Sequence, residues 1–352
     1  MKRFLLLQLF VLAVGLLIAQ PPAGYYNAAD QKKEAQLKTS LYSITSSGYV
    51  TKSYDYLHTI YETSDRRPDG KVWDMYSTCT WTFGQKKCGN YSSVCDCYNR
   101  EHSIPQSWFN SKSPMVSDAH HVYPTDGKVN GQRSNYPFGE CNNGSTLSGG
   151  NAQGRLGSST YPGYSGTVFE PIDEYKGDFA RTYFYFATGY ENIMTTIGGE
   201  TFSGNTYPAI TTWSLNMFLE WHREDPVSEK ETVRNDAIYA HQKNRNPFID
   251  HPELAEHIWG NKKTIAWNLS ASVDNPESEI RFSYDKDNQT ITLSPDSLPY
   301  SYRIYSISGQ VIYRGNAVPQ TYISVAGLYS GMYLIQYETV RSKGVRKFIV
   351  QK

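Results

Sequence analysis

Past about residue 274 the chain changes its period, and that change limits its architecture more than any single motif. RFSYDKDNQTITLSP, YSYRIYSISGQVIYRG, TYISVAGLYSGMYLIQYETV and VRKFIVQ alternate polar with apolar residues and are rich in Tyr, Ile and Val. Gly, Ser and Pro turns separate them, the pattern of short strands in a small all-β module. Upstream the apolar residues return at helical spacing instead. Leu37, Leu41 and Ile44 do so within 31–46. Phe179, Ala180, Tyr183, Phe184 and Ala187 mark one face of a helix over 176–187. Further helices are expected over 54–61, 213–221 and 252–259, and Ser228-Glu229-Lys230-Glu231 reads as a capping box opening a helix to about Gln242. The expected class is α+β: a helix-rich domain over 20–274, then a β-rich, sandwich-like domain over 275–352, with Asn275-Pro276-Glu277-Ser278 as linker.

The first residues, MKRFLLLQLFVLAVGLLIAQ, have a positive start at Lys2 and Arg3, a run of about 15 mostly apolar residues, and Ala19-Gln20 where cleavage would fall. This reads as a signal peptide over 1–19. The run is short for a span of ~20 residues, and no other stretch could cross a membrane. Export makes disulfides permissible. Four of the five cysteines, Cys79, Cys88, Cys95 and Cys97, lie within 19 residues, without the paired C-x-x-C spacing of a zinc site. Cys88 with Cys97 is the first pairing expected and Cys79 with Cys95 the second, which leaves Cys141 over. Formal net charge is zero; residues 20–275 carry 23 Lys+Arg against 28 Asp+Glu, and 276–352 carry 9 against 6. Whole-domain electrostatic capture of nucleic acid is therefore not indicated for the first domain, although a local positive groove with a metal would suffice for an enzyme.

The stretch over 100–135 carries the chemistry. Glu101 and His102 should sit on a short strand that stops before Pro105, and Val122-Tyr123 on a second that ends at Pro124. Thr125 is the expected N-cap of a helix with Asp126 in its first turn. Pro137 obliges that helix to stop near Asn135. The helix carries Asn130 and Arg133. Residues 72–99 are expected as a disulfide-held loop, and 141–167 as a Gly/Ser/Asn-rich loop. A carboxylate and an amide oxygen suit a hard cation, a neutral imidazole can take a proton from water, and a guanidinium can hold phosphate. Together these are the parts of a metal-assisted phosphodiesterase.

Several longer motifs carry a resemblance. NREHSIPQSWF, SDAHHVYPTDGKVNGQRSNYPFGE and FEPIDEYKGDFARTYFYFATGYE, with VWDMYS and NRNPFIDHPE, resemble the bacterial endonuclease I family over roughly residues 30–262. The resemblance implies a ββα-metal (His-Me) finger and a Mg²⁺-dependent cut, with Mn²⁺ or Ca²⁺ as alternatives, of DNA and often RNA to 5′-phosphate ends. It makes His102 the general base and Glu101 and Asn130 the metal ligands. Cys141 departs from it, since the family often has valine or another apolar residue there. The chain end, YRIYSISGQVIYRG, YISVAGLYSGMYLIQY and VRKFIVQK, resembles the sorting domain of type IX secretion. That implies the type IX machinery as a partner, export across the outer membrane of a Gram-negative bacterium, and removal of the tail. A monomer is expected.

Other residues keep open alternatives. Neighbours on a strand face opposite ways, so Glu101 and His102 must reach the metal and the water from different sides. Arg133, three residues after Asn130, shares its helix face and is the candidate to hold a phosphate oxygen. Arg100, Arg181 and Arg245 are further substrate-binding candidates, each with a solvated charge or structural ion pair as the alternative. Alternation would send one of His120 and His121 inward and the other outward. Asp118 reads as a turn or cap residue, and Asp74 and Tyr76 of VWDMYS have no evident role. The reading is a secreted Mg²⁺-dependent non-specific endonuclease of DNA, with RNA as a further substrate. The rivals are a ribonuclease or broader phosphodiesterase, and a non-catalytic nucleic-acid-binding surface protein.

Overall fold

Buried polar side chains with partners, as much as apolar ones, decide where the helices of the first unit lie. The computed structural model describes residues 21–147, 149–269, 281–286, 288–294, 300–306, 309–318, 321–338 and 343–350. The leader at 1–19 and the linker at 275–278 lie outside them. The chain divides into two compact units between residues 269 and 270.

In the first unit α1 (Glu34–Ser46) and α2 (Leu57–Ser64) precede an antiparallel pair, β1 (Tyr98–His102) and β2 (Val122–Asp126), which leads into α3 (Gly127–Arg133). A small sheet follows, β3 (Ser145–Thr146), β4 (Arg155–Ser158) and β5 (Thr167–Glu170). Then come α4 (Lys176–Gly189), α5 (Thr212–Glu224), α6 (Glu229–Gln242), α7 (Pro247–Asp250) and α8 (Leu254–Ile258). Leu37, Leu41 and Ile44 of α1 are buried as their spacing predicts. Helix α4 is buried from Gly177 to Thr188, not along one stripe. Its polar residues go inside because neighbours satisfy them: Arg181 pairs with Glu231, and the Thr182 and Tyr123 hydroxyls bond each other at 2.5 Å. Gly177 is required there, since a Cβ would lie 2.1 Å from the Asp225 carbonyl. The capping box forms, with Ser228 Oγ accepting from the Glu231 N–H and Glu231 accepting from the Ser228 N–H. Glu231 thus caps α6 and anchors it to α4.

Two expectations are corrected. The N-cap of α3 is Asp126, not Thr125: Asp126 Oδ1 accepts from the N–H groups of Lys128 (2.8 Å) and Val129 (2.9 Å). Residues 141–167 are not a plain loop, because β3 and β4 form there and pair on to β5. Their Gly/Ser composition hid them, for glycine lowers strand propensity and marks close backbone approach; a Cβ on Gly157 would lie 2.6 Å from the Gly144 Cα. The loop before β1 is held as expected by Cys79–Cys95 and Cys88–Cys97, and Cys141 is free and buried. That loop is fastened to the start of α3. Asp126 Oδ2 accepts from the Cys95 N–H (2.7 Å), and the Cys97 carbonyl accepts from the Gly127 N–H (3.0 Å).

The second unit is all β. Strands β6 (Arg281–Asp285), β7 (Thr290–Ser294) and β10 (Tyr322–Ser324) make one sheet, in the order β10-β7-β6. Strands β8 (Tyr300–Ser306), β9 (Val311–Ala317), β11 (Gly331–Glu338) and β12 (Lys343–Val350) make the other, in the order β12-β11-β8-β9. All pairings are antiparallel. Ile291, Ile304, Ile323, Ile335 and Phe348 are buried in one shared core between them. Among the described residues no helix is long and apolar enough to cross a membrane.

Candidate active site

Strand β1 has two chemically different faces. Asn99 and Glu101 share one, and Arg100 and His102 the other, because side chains alternate. Glu101 is only 3% exposed. Its Oε1 accepts from the Tyr76 hydroxyl (2.9 Å) and from Arg133 Nη1 (3.0 Å). Arg133 is committed further, donating from Nη1 to the His102 carbonyl (3.0 Å) and from Nη2 to the Ser103 carbonyl (2.7 Å), with its guanidinium 4.8 Å from the Phe138 ring centre. Burial raises the Glu101 carboxyl to about 7, while the Arg133 charge and the hydrogen bonds from Tyr76 and Arg133 pull the other way. Both side-chain donors meet one oxygen, which turns Oε2 toward other use.

Asn130 stands one helical turn before Arg133 on α3. Its Nδ2 donates to Asn99 Oδ1 at 2.8 Å. An amide that spends its NH₂ on a neighbour has its direction fixed, and its oxygen points away from that neighbour. Asn130 touches the strand at Asn99 and Arg133 touches it at Glu101, so α3 lies along the face that carries the carboxylate. A carboxylate oxygen and an amide oxygen, both oriented by hydrogen bonds, fit a hard divalent ion that keeps most of its positions for water and phosphate. Among the described residues no group of three or more His, Cys, Asp or Glu is disposed to hold a metal. An ion here would therefore rest on few protein ligands.

His102 occupies the other face. Its ring packs against Tyr54, Phe109 and His121, with centroids 5.8, 6.1 and 5.8 Å away. Nε2 lies 2.9 Å from the Val116 carbonyl. A carbonyl only accepts, so Nε2 carries the proton and Nδ1 keeps the lone pair. Burial, with the nearby His121 and Arg100, lowers the imidazole to about 3. It stays neutral and able to accept a proton. Arg100 lies on the same face, 3.6 Å from the Tyr54 ring centre, and bonds Asp55 Oδ1 at 2.7 Å. That carboxylate is 93% exposed, so the pair is weak and the guanidinium is reachable from solvent.

Three of the four arginine candidates need correction. The Arg133 side chain is 1% exposed and holds Glu101 and two carbonyls, so it braces the carboxylate and is closed off from a phosphate in solvent. Arg181 is buried against Glu231 and Asp178, and Arg245 against Asp236 and Asp250. Both tie helices together, and Glu231, 50 positions from Arg181, is a partner that no local pattern reveals. His120 and His121 are both buried, because β2 begins only at Val122 and alternation does not reach them. Their Nε2 atoms bond the Asn244 and Met115 carbonyls at 3.2 and 2.7 Å. Asp118 is a buried hub that accepts from the Tyr185 and Tyr190 hydroxyls at 2.7 and 2.6 Å. Sequence reasoning missed Asn99, Tyr54 and the use of VWDMYS. Tyr76 seats Glu101, and Asp74 accepts from the Tyr76 N–H (2.8 Å) and the Asp126 N–H (3.1 Å). The motif binds the strand's carboxylate and the helix's cap into one block.

Comparison with known proteins places this site in context. Residues 33–253 match the family described as Endonuclease I, and residues 285–351 the one described as Secretion system C-terminal sorting domain. The chain is 34% identical over 255 residues to an extracellular ribonuclease of Bacillus amyloliquefaciens, covering 67% of this chain and 78% of the relative. It is 35% identical over 252 residues to an extracellular ribonuclease of Bacillus subtilis (strain 168), with the same two shares, 67% and 78%. Against an extracellular deoxyribonuclease of Aeromonas hydrophila the identity is 27% over 171 residues, covering 48% of this chain and 62% of the relative.

Proposed function

The chain belongs to the endonuclease I family, and from that premise we propose a metal-dependent hydrolysis of phosphodiester bonds in both RNA and DNA at the Glu101–His102 end of β1. That it is a secreted nuclease follows from the family, the sorting domain and the extracellular relatives. One observation carries the finer reading: the two oxygen ligands and the base are each oriented by a dedicated partner. Tyr76 and Arg133 fix Glu101, Asn99 fixes Asn130, and the Val116 carbonyl fixes His102.

In this reading Glu101 and Asn130 hold Mg²⁺, Mn²⁺ or Ca²⁺, which when bound supplies charge stabilisation at the phosphate and its departing oxygen. His102 Nδ1 takes a proton from water as the water oxygen bonds to phosphorus. The bond from phosphorus to the 3′ oxygen breaks and that oxygen takes a proton from solvent water, leaving 5′-phosphate and 3′-hydroxyl ends. Arg100, on the His102 face, steadies a phosphate oxygen. Phosphate contacts carry no sequence information, so little base preference is expected. RNA stands beside DNA as substrate because the relatives covering two thirds of this chain are named ribonucleases, and one matching a smaller share is named a deoxyribonuclease. The outer-membrane route and the leader's removal belong to the same proposal.

The test is digestion of RNA, single-stranded DNA and duplex DNA side by side, with Mg²⁺ or with EDTA. Cleavage should vanish in EDTA, and RNA fragments should carry 5′-phosphates, not 2′,3′-cyclic ends. His102→Ala should lose about 10²–10⁴ in rate while still binding nucleic acid. Cleavage indifferent to EDTA, or near wild-type turnover in His102→Ala, would sink the mechanism.

A further inference from the structure

The four-stranded sheet of the tail turns an unusual face to solvent. Its inner residues, Ile304, Ile335 and Phe348 among them, are buried in the core. The alternate positions point outward. Arg303 on β8 stands directly opposite Arg314 on β9. One row along, Lys347 on β12 stands opposite Leu334 on β11. Val345 (50% exposed), Ile349 (48%) and Leu334 (37%) lie on the same face. Like charges directly opposite on adjacent strands repel and are normally relieved by a carboxylate. No ion pair engages Arg303, Arg314 or Lys347 among the described residues. A face that sets two arginines opposite each other beside bare aliphatic side chains is not arranged for the unit's own stability.

We propose that this outward face of β12-β11-β8-β9 is the docking surface of the tail, and that its occupant is an acidic, partly apolar protein surface of the export apparatus. The inference rests on the export reading given above and names the face and chemistry by which export recognises the chain. Charge complementarity selects an acidic partner. The exposed aliphatic residues select a protein over a polynucleotide, because a phosphodiester backbone gains from cations but little from Leu334, Val345 and Ile349. The match of residues 285–351 to a sorting domain places the surface on the part of the chain that must be recognised.

The experiment uses the full-length chain in a Gram-negative bacterium that carries this secretion system, with nuclease activity read separately in medium and in cells. Wild type must reach the medium, and if it does not, the export reading itself fails. Arg303→Glu with Arg314→Glu should cut extracellular activity at least tenfold while active, undegraded protein accumulates in the cells. Arg303→Lys with Arg314→Lys should restore export. Lys286→Glu, an exposed reversal in a turn away from this face, should export as wild type. If the double reversal is degraded, Val345→Glu alone carries the test: retention in the cells supports the surface and normal export overturns it. Normal export of a folded double reversal overturns the proposal. So does equal retention of Lys286→Glu. Normal export with lost affinity for RNA or for vesicles of anionic lipid would give the face to a different occupant.

Discussion

The two units use charge in opposite ways. In the nuclease unit some arginines are interior parts: the side chains of Arg133, Arg181 and Arg245 are at most 1% exposed, and each meets a carboxylate. In the tail Arg303, Arg314 and Lys347 are exposed, and among the described residues no ion pair engages them. The difference follows from what defines each backbone. The tail is specified by ladder hydrogen bonds and a core of alternate apolar residues, so its charges can stand at the surface. The nuclease unit must hold segments with little regular structure. Helix α3 has seven residues and includes Gly127 and Gly131, both poor helix formers. A helix that short and weak does not set the direction of Asn130 by itself. Buried forks from Arg133, and the Asp126 cap tied to the disulfide loop, do that for it.

The largest test of this contrast is Arg133→Ala. Removing one partner of a buried ion pair leaves a desolvated charge, at a cost of about 3–5 kcal/mol. It also takes a donor from the His102 and Ser103 carbonyls, the second of which keeps the Tyr183 hydroxyl at 2.8 Å. Urea unfolding of the nuclease unit should show a loss of that size, together with loss of cleavage. A loss below about 1 kcal/mol would mean that the pair is not a structural brace.

The candidate residues are legible in the sequence and the contacts that hold them are not, and the reason is physical. Glu101, His102 and Asn130 stand in short, distinctive strings, and the capping box at Ser228 is a local pattern with a local cause. Of the two strands around the site, β1 stops short of Pro105 as expected, but β2 does not end at Pro124: it runs through it to Asp126, with Pro124 opposite Arg100 in a two-stranded sheet whose edges tolerate proline. What failed depended on long-range contact. Arg181 looks like a solvent-facing helix residue until Glu231, 50 positions later, comes to meet it. His120 and His121 look like strand residues until the turn before Val122 places both inside. Tyr76 lies 25 positions from Glu101, and nothing in the spacing could say that its hydroxyl ends on that carboxylate. The sheet over 145–170 hid behind glycine, whose use there is to let backbones touch.

A smaller effect is expected from Tyr76→Phe, which removes one donor from Glu101 and keeps the ring. Stability should fall by roughly 1 kcal/mol, and apparent Mg²⁺ affinity by about tenfold, as for other outer-shell partners. Titration of activity against Mg²⁺ reads the second number. If only stability changes, Tyr76 packs the site without steering it.

The pH profile separates the two faces of β1. Burial raises Glu101 to about 7, and proton and cation compete for that carboxylate. At low Mg²⁺ the rate should therefore fall as pH drops through about 7. Each tenfold rise in Mg²⁺ should move that acid limb down by at most about one unit, equivalent to about 1.4 kcal/mol. His102, lowered to about 3, remains neutral across this range and adds no limb of its own. An acid limb that ignores Mg²⁺ would show that the titrating group is not a metal ligand.

The smallest effect is the most diagnostic for the tail. Arg314→Gln removes one of two arginines that stand opposite each other on β8 and β9 and that no ion pair engages among the described residues. If charge in this unit serves the surface only, nothing is lost on folding and one repulsion is relieved. The tail's stability should then stay within about 0.5 kcal/mol of wild type, with any change upward. The sign matters more than the size, because Arg133→Ala in the other unit must go downward. Thermal unfolding of the full-length chain, resolving the tail's transition from that of the nuclease unit, measures it. A drop beyond about 1 kcal/mol would make Arg314 a structural residue like Arg181. The outward sheet face would then owe its arginines to the tail's own folding, and the argument that they await a partner would lose its ground.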